Sequence, residues 1–199
     1  MMHKGVGAEE GFRHRGIEIT RIEGFSDAVF AFAVTLLIVS LEVPKTFTEL
    51  VETMKGFIAF ACGFALLVWI WYNQYIFFRR YGLHDGATIV YNSVLLFVVV
   101  FFVYPLKFLF TFLVKAYTGA TTDVLLPTGV IEPAILPNQT VALMTIYGAG
   151  YVAIFGVFAL LYFHAYKKGN ELGLNELEQL DTRSAIIQYL LNIGIGGAR

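Results

Sequence analysis

The stretch Arg21-Ile-Glu-Gly-Phe-Ser-Asp27-Ala-Val-Phe-Ala-Phe-Ala-Val-Thr35-Leu-Leu-Ile-Val39 carries three charges in its first seven residues and none in the twelve that follow. A bilayer hydrocarbon core about 30 Å thick needs roughly 20 apolar residues of helix, because it offers backbone amides no other hydrogen-bond partner. The run over residues 25–43 meets that length and reads as a membrane span with a polar start. Three further runs, residues 56–78, 87–114 and 141–166, qualify in the same way. The expected fold is therefore all-α, a polytopic membrane helix bundle. Residues 1–20 form an N-terminal tail and residues 21–199 a single transmembrane domain.

Composition supports a lipid partner. Of the residues, 57% are hydrophobic and only 15% charged, and the charges gather between the long apolar runs. The tail mixes Lys4, Arg13 and Arg15 with Glu9, Glu10 and Glu18 and has no apolar core, so no cleaved signal peptide is expected. A formal net charge of −1 without a long basic cluster gives no reason to expect nucleic acid. The single cysteine, Cys62, excludes a disulfide within the chain. His3, His14, His84 and His164 are scattered without ligand spacing. Neither metal catalysis, nor a cofactor, nor a small-molecule substrate is indicated, and the chain does not read as an enzyme.

Orientation follows from Lys and Arg beside the spans. Lys4, Arg13, Arg15, Arg21, Arg79, Arg80, Lys167, Lys168 and Arg183 fall on one side, and Lys45, Lys55 and Lys115 on the other, nine against three. Cytoplasmic connections carry the excess, which places the N-terminus inside a multi-pass protein of the cell membrane. Trp69, Trp71, Tyr72 and Tyr75 precede Arg79 and Arg80, as expected of rings settling at an interface. The connection over residues 116–140 contains Pro127, Pro133 and Pro137 and reads as an external loop without regular elements. Residues 184–197 turn apolar again but are too short to span. They are either a re-entrant segment or, on the preferred reading, the start of a fifth helix over about residues 184–199.

The first helix has two sides. At about 100° per residue, with Asp27 at 0°, Phe25, Ala28, Phe32, Thr35, Leu36, Val39 and Val43 fall between about 80° and 180°. That stripe is small or apolar apart from one hydroxyl, Thr35. Glu23, Ser26, Asp27 and Ser40 avoid it. The stripe either packs on a neighbouring helix or lines a pore. An Asp near a membrane helix end needs a partner or water. Arg21 lies six residues away, on a different side of the helix, so a simple i,i+4 pair is excluded. Arg21 is expected to reach another helix, with Asn73, Gln74, His84 and Asn92 as candidate network partners.

Arg21, Phe25-Ser26-Asp27 and Thr35-Leu36-Leu37 together resemble the signature of the prokaryotic transmembrane protein 175 family, potassium channels related to a lysosomal channel of animals. Tyr91-Asn92 through Pro105 is similar to that family's third helix. The resemblance covers about residues 21–110. It implies a homotetramer of six-helix subunits, of which four complete spans and part of a fifth are visible here. It further implies that the first helix lines the pore, with apolar rings at Phe32, Leu36 and Val39 and a selectivity layer at Thr35. Potassium would be the permeant ion and the only metal involved. Two departures stand out: relatives carry Ile or Leu where Phe32 stands, and tend to carry His where Asn73 stands. The alternatives to a potassium-selective channel are a proton-coupled secondary transporter titrating Asp27 and a non-conducting membrane scaffold.

Overall fold

The structure is a computed structural model that describes residues 12–39, 45–55, 57–118, 123–125 and 129–197. Lys4 and His3 in the tail, and Ser40 and Val43 at the far end of the first expected span, lie outside the described residues. The described chain is mostly helical, with α1 at Arg21–Val39, α2 at Phe47–Lys55, α3 at Phe57–Tyr81, α4 at Gly86–Thr118, α5 at Thr140–Lys167 and α6 at Glu176–Gly197. Among the described residues, α3, α4 and α5 are long and apolar enough to cross a membrane.

Two connections carry regular structure, the second against the expectation of a loop without regular elements. The link after the first span contains α2. The Pro-containing link after α4 folds into a short antiparallel hairpin, β1 (Asp123–Leu125) against β2 (Ile131–Pro133), followed by a 3₁₀ turn at Pro137–Gln139. Pro133 is tolerated because it ends its strand on a two-stranded ribbon, where an edge position needs no amide donor. The sixth helix begins well before the apolar stretch at residue 184, because Asn175 and Glu178 cap it: Glu178 N donates to Asn175 Oδ1 at 2.8 Å and Asn175 N to Glu178 Oε2 at 3.0 Å. This is the reciprocal pairing of a capping box, with Asn in place of Ser or Thr.

The core runs through the middle of the bundle. Phe30, Ala33 and Leu37 of α1 meet Leu67 and Ile70 of α3, Leu95, Val99 and Val103 of α4, and Ile154, Phe158 and Leu161 of α5. Close approaches need missing side chains. A Cβ on Gly63 would come 3.1 Å from Leu37, and one on Gly150 would overlap the Phe102 ring. Towards the end where the N-terminal segment lies, Phe77, Tyr81, Tyr162 and Tyr189 meet in tilted and edge-to-face pairs at centroid distances of 5.1–5.6 Å.

Residues 12–20 lie across this end as a strap. The amides of Arg15 and Gly16 donate to Arg79 O at 3.0 and 3.1 Å, and Arg79 Nη1 returns a bond to Gly16 O at 2.7 Å. Gly16 is required there, since a Cβ would stand 2.3 Å from Phe78 O. Gly82 ends α3 in the left-handed region at φ 60°, its amide closing on Phe78 O at 2.8 Å. Phe12 is buried edge-on to Tyr81, beneath the Arg80 guanidinium.

The strap is fastened by charge. Arg15 Nη2 donates to Glu178 Oε2 at 2.6 Å, with the Glu178 side chain fully buried, and the Arg13 amide adds a bond to Oε1 at 2.9 Å. Burial opposes the Glu178 charge, but the bonds from Arg15, Arg13 and Asn175 outweigh it and lower its pKa from 4.5 to about 2. Across the bundle, burial likewise opposes the Asp85 charge. There the bonds from Thr88 and from His164, at 2.5 and 2.9 Å, hold its pKa at about 2. Both carboxylates have folded-state values below their unfolded ones. Their stabilisation is complete above about pH 4.5 and is lost as pH falls towards 2.

Removing Glu178 takes the carboxylate partner from Arg15, which keeps only carbonyl acceptors, among them Leu172 and Gly173, and losing one partner of a buried pair costs roughly 3–5 kcal/mol. Glu178→Ala is expected to lower the thermal midpoint in detergent at neutral pH by several degrees. Its midpoint should also fall less steeply than the parent's between pH 4.5 and 2. Parallel pH curves for the two proteins would contradict the role given to this carboxylate.

Candidate functional site

α1 opens on a capping box. Thr20 N and Thr20 Oγ1 donate to Glu23 Oε1 at 2.9 and 2.8 Å, and Glu23 N returns a long bond to Thr20 Oγ1 at 3.4 Å. Glu23 is thereby consumed by the helix start and sits buried. From it runs the buried face of α1: Glu23, Ser26, Phe30, Ala33 and Leu37, spaced three and four apart.

Ser26 is 1% exposed. Its hydroxyl donates to Ile22 O at 2.7 Å and accepts from Asn92 Nδ2 of α4 at 2.9 Å. Asn92 Oδ1 in turn accepts from Gln74 Nε2 of α3. A single chain of amide and hydroxyl groups thus joins three helices inside an apolar core. Asp27, one residue on, accepts from Trp71 Nε1 of α3 at 2.7 Å. Beside it, Phe30, Ala31, Val34, Leu67, Val68 and Trp71 border a crevice of about 250 Å³ between α1 and α3.

The opposite face is uncovered. Phe25 is exposed, Phe32 is 54% exposed, and Thr35 is exposed with its hydroxyl donating to Ala31 O at 2.9 Å. Spending the proton on the helix leaves the Thr35 oxygen lone pairs facing outward as acceptors. Leu36 is partly buried against the core at the edge of this face. The helix continues through Val39, whose side chain lies outside the described residues.

The remaining residues singled out from sequence fall as follows. Arg21 is exposed at the first residue of α1. Asn92 joins the chain at Ser26. Asn73 bonds back to Trp69 O of its own helix at 2.7 Å, and the exposed His84 ring to Gly82 O at 3.1 Å. Gln74 fills the place beside Asn92, and Trp71, read from sequence only as an interface ring, partners Asp27. A signal for Glu23 existed in the Thr20-x-x-Glu23 spacing, and one for Glu178 in Asn175-x-x-Glu178.

The geometry makes Asn92 the hinge pin of the polar chain. Asn92→Leu leaves Gln74 and Ser26 without their shared partner in a site closed to water, a loss of about 1–3 kcal/mol. The thermal midpoint in detergent should drop accordingly. Adding Ser26→Ala to that variant should cost less than the two single changes summed, because both act on one chain. Additive losses would separate Ser26 from the network.

Comparison with known proteins finds relatives of the whole chain. Residues 21–102 match the family described as Endosomal/lysosomal potassium channel TMEM175. A potassium channel of Marivirga tractuosa is 46% identical over 192 residues, covering 94% of this chain and 75% of the relative. A potassium channel of Chamaesiphon minutus is 32% identical over 117 residues, covering 54% and 57% of the two chains. The crystal structure of a threonine-to-alanine variant of the potassium channel MtTMEM175, in complex with a nanobody–MBP fusion, superposes with a TM-score of 0.85 at 45% identity. It covers 96% of this chain and 82% of that one. A lysosomal potassium-selective channel TMEM175 homologue from Chamaesiphon minutus, at 24% identity, shares the fold with a TM-score of 0.56 over 90% of this chain. With residues 21–102 matching the family and 94% of the chain aligned with a potassium channel at 46% identity, the chain is a membrane protein of the TMEM175 family of potassium channels and not an enzyme.

Proposed function

We propose that the chain is a potassium-selective channel subunit that assembles as a homotetramer, with α1 of each copy lining a central pore. The observation that carries this reading is the division of α1 into a face buried in its own bundle and an uncovered face of Phe25, Phe32 and Thr35. Four copies around an axis turn such a stripe into stacked rings, and narrow apolar rings control permeation by excluding water. Phe32, Leu36 and Val39 supply the apolar layers, and Thr35 supplies an oxygen layer to a partly dehydrated cation. The relatives' description as potassium channels supports potassium as the permeant ion.

The remaining parts of this reading are topological. The N-terminal strap is cytoplasmic, α1 crosses as the first of four complete spans, and α6 begins a fifth. The assembly resides in the cell membrane. Asp27, held by Trp71, and Ser26, held by Asn92, belong to the scaffold of α1 and not to the ion path.

Purified protein in liposomes should release potassium down its gradient much faster than sodium. Equal and negligible fluxes at adequate protein density would sink the proposal. Thr35→Ala, which removes the oxygen layer without touching the buried face, should reduce the potassium-over-sodium permeability ratio about tenfold, equivalent to about 1.4 kcal/mol. Its oligomeric state should match the parent's by size-exclusion light scattering. An unchanged ratio removes Thr35 from the filter.

A further inference from the structure

The nine residues of α2, Phe47-Thr-Glu-Leu-Val-Glu-Thr-Met-Lys55, separate cleanly into two faces. At about 100° per residue, Phe47, Leu50, Val51 and Met54 fall within an arc of about 100°, and the other five positions of the sequence fall outside it. Phe47 is 79% and Met54 66% exposed, and Leu50 and Val51 are exposed beside them. Among the described residues, an apolar stripe is thus presented exposed on a helix whose sequence mixes apolar and polar positions.

We propose that α2 is an interfacial helix that lies along the membrane surface with Phe47, Leu50, Val51 and Met54 immersed in the acyl-chain boundary. Three observations select lipid as the occupant. First, one residue separates Lys55 from Phe57, the start of a helix long and apolar enough to span, so covalent continuity holds α2 at the edge of the bilayer. Second, the first residues of that helix, Phe57 and Ile58, are themselves exposed, so the apolar surface carries on from α2 into the wall that meets lipid. Third, four side chains on nine residues present a few hundred Å² at most. A protein partner that held this helix alone would need about 1,000 Å². The helix is also only about 14 Å long, too short to insert across the membrane and long enough to lie on it.

Its two glutamates and one lysine give no cationic face. Attachment therefore rests on apolar burial, and its strength is independent of anionic lipid. The proposal depends on the membrane embedding of α3 and not on ion conduction.

Spin labels placed one at a time through Phe47→Cys, Thr48→Cys, Val51→Cys and Met54→Cys in a Cys62→Ala background report the placement. The full chain is reconstituted in vesicles of phosphatidylcholine with phosphatidylglycerol. Labels at Phe47, Val51 and Met54 should collide with dissolved oxygen several-fold more than with a water-soluble nickel chelate, and the label at Thr48 should show the reverse. The pattern should persist in phosphatidylcholine alone. A label from Phe57→Cys reads the bilayer in the same samples. Preferential nickel contact at all four α2 positions, with Phe57 in lipid, overturns the proposal. So does shielding from both reagents with dipolar broadening between labels, which places a second copy of the chain on the stripe. Nickel contact at Phe57 overturns the embedding of α3 and the proposal with it.

Discussion

The rotation of α1 about its own axis is set by one hydroxyl. A helix among apolar neighbours and lipid gains little from burying one apolar face over another, because lipid tails are as apolar as leucine. Ser26 breaks that degeneracy. Its acceptor bond from Asn92, continued to Gln74, is satisfied in one orientation of α1 against α3 and α4 and lost in others. Thr35 stands nine residues further on, which at about 100° per residue is two and a half turns and about half a circle away. A Ser26 locked inward therefore turns Thr35 outward. The site that meets ions in the proposed function is oriented by a bond on the far side of its own helix.

Asp27 reinforces the same setting from the flank. It sits between the buried and uncovered faces, where an indole donor from Trp71 meets it at 2.7 Å. A carboxylate in this place is costly without a partner, and a tryptophan supplies one without introducing a compensating charge. Below it, Leu37 seats against Gly63 of α3, where a Cβ would stand 3.1 Å from the leucine side chain. Polar bonds thus fix the first two turns of α1 and close packing fixes the last described ones.

Long features were legible in the sequence, and short or relational ones were not. Three of the four expected spans declared themselves, as α3, α4 and α5, because about twenty apolar residues in a row have few alternatives. The stripe on α1 could be drawn because helical geometry converts spacing into direction. α2 escaped notice because nine residues are too few to stand out between two apolar runs. The hairpin escaped because Pro133 and Pro137 read as breakers, although Pro133 merely ends an edge strand. Partner choice was the least visible. Asn73 and Gln74 are neighbours in sequence but differ by about 100° on α3, and only the rotation of that helix decides which faces Asn92. Arg13 and Arg15 were countable as topology-setting charges, while their use as clamps on Glu178 depends on a turn more than 150 residues away.

These anchors bear on where motion can occur. The strap ties the start of α1 to the α5–α6 turn through Arg15, whose guanidinium bonds both Glu178 and the carbonyls of Leu172 and Gly173. The capping box, the Ser26 chain and the Trp71 bond then hold the next two turns. Tilting α1 against α3 and α4 would break the Trp71–Asp27 bond and the buried Asn92–Ser26 bond together, the buried one costing about 1–3 kcal/mol when left unmade. Rotating the Phe32 side chain breaks none of these bonds, because Phe32 takes no part in them. In the proposed tetramer, opening and closing at the Phe32 layer by ring reorientation is therefore the cheaper motion, with the backbone of α1 serving as the fixed frame around which it occurs.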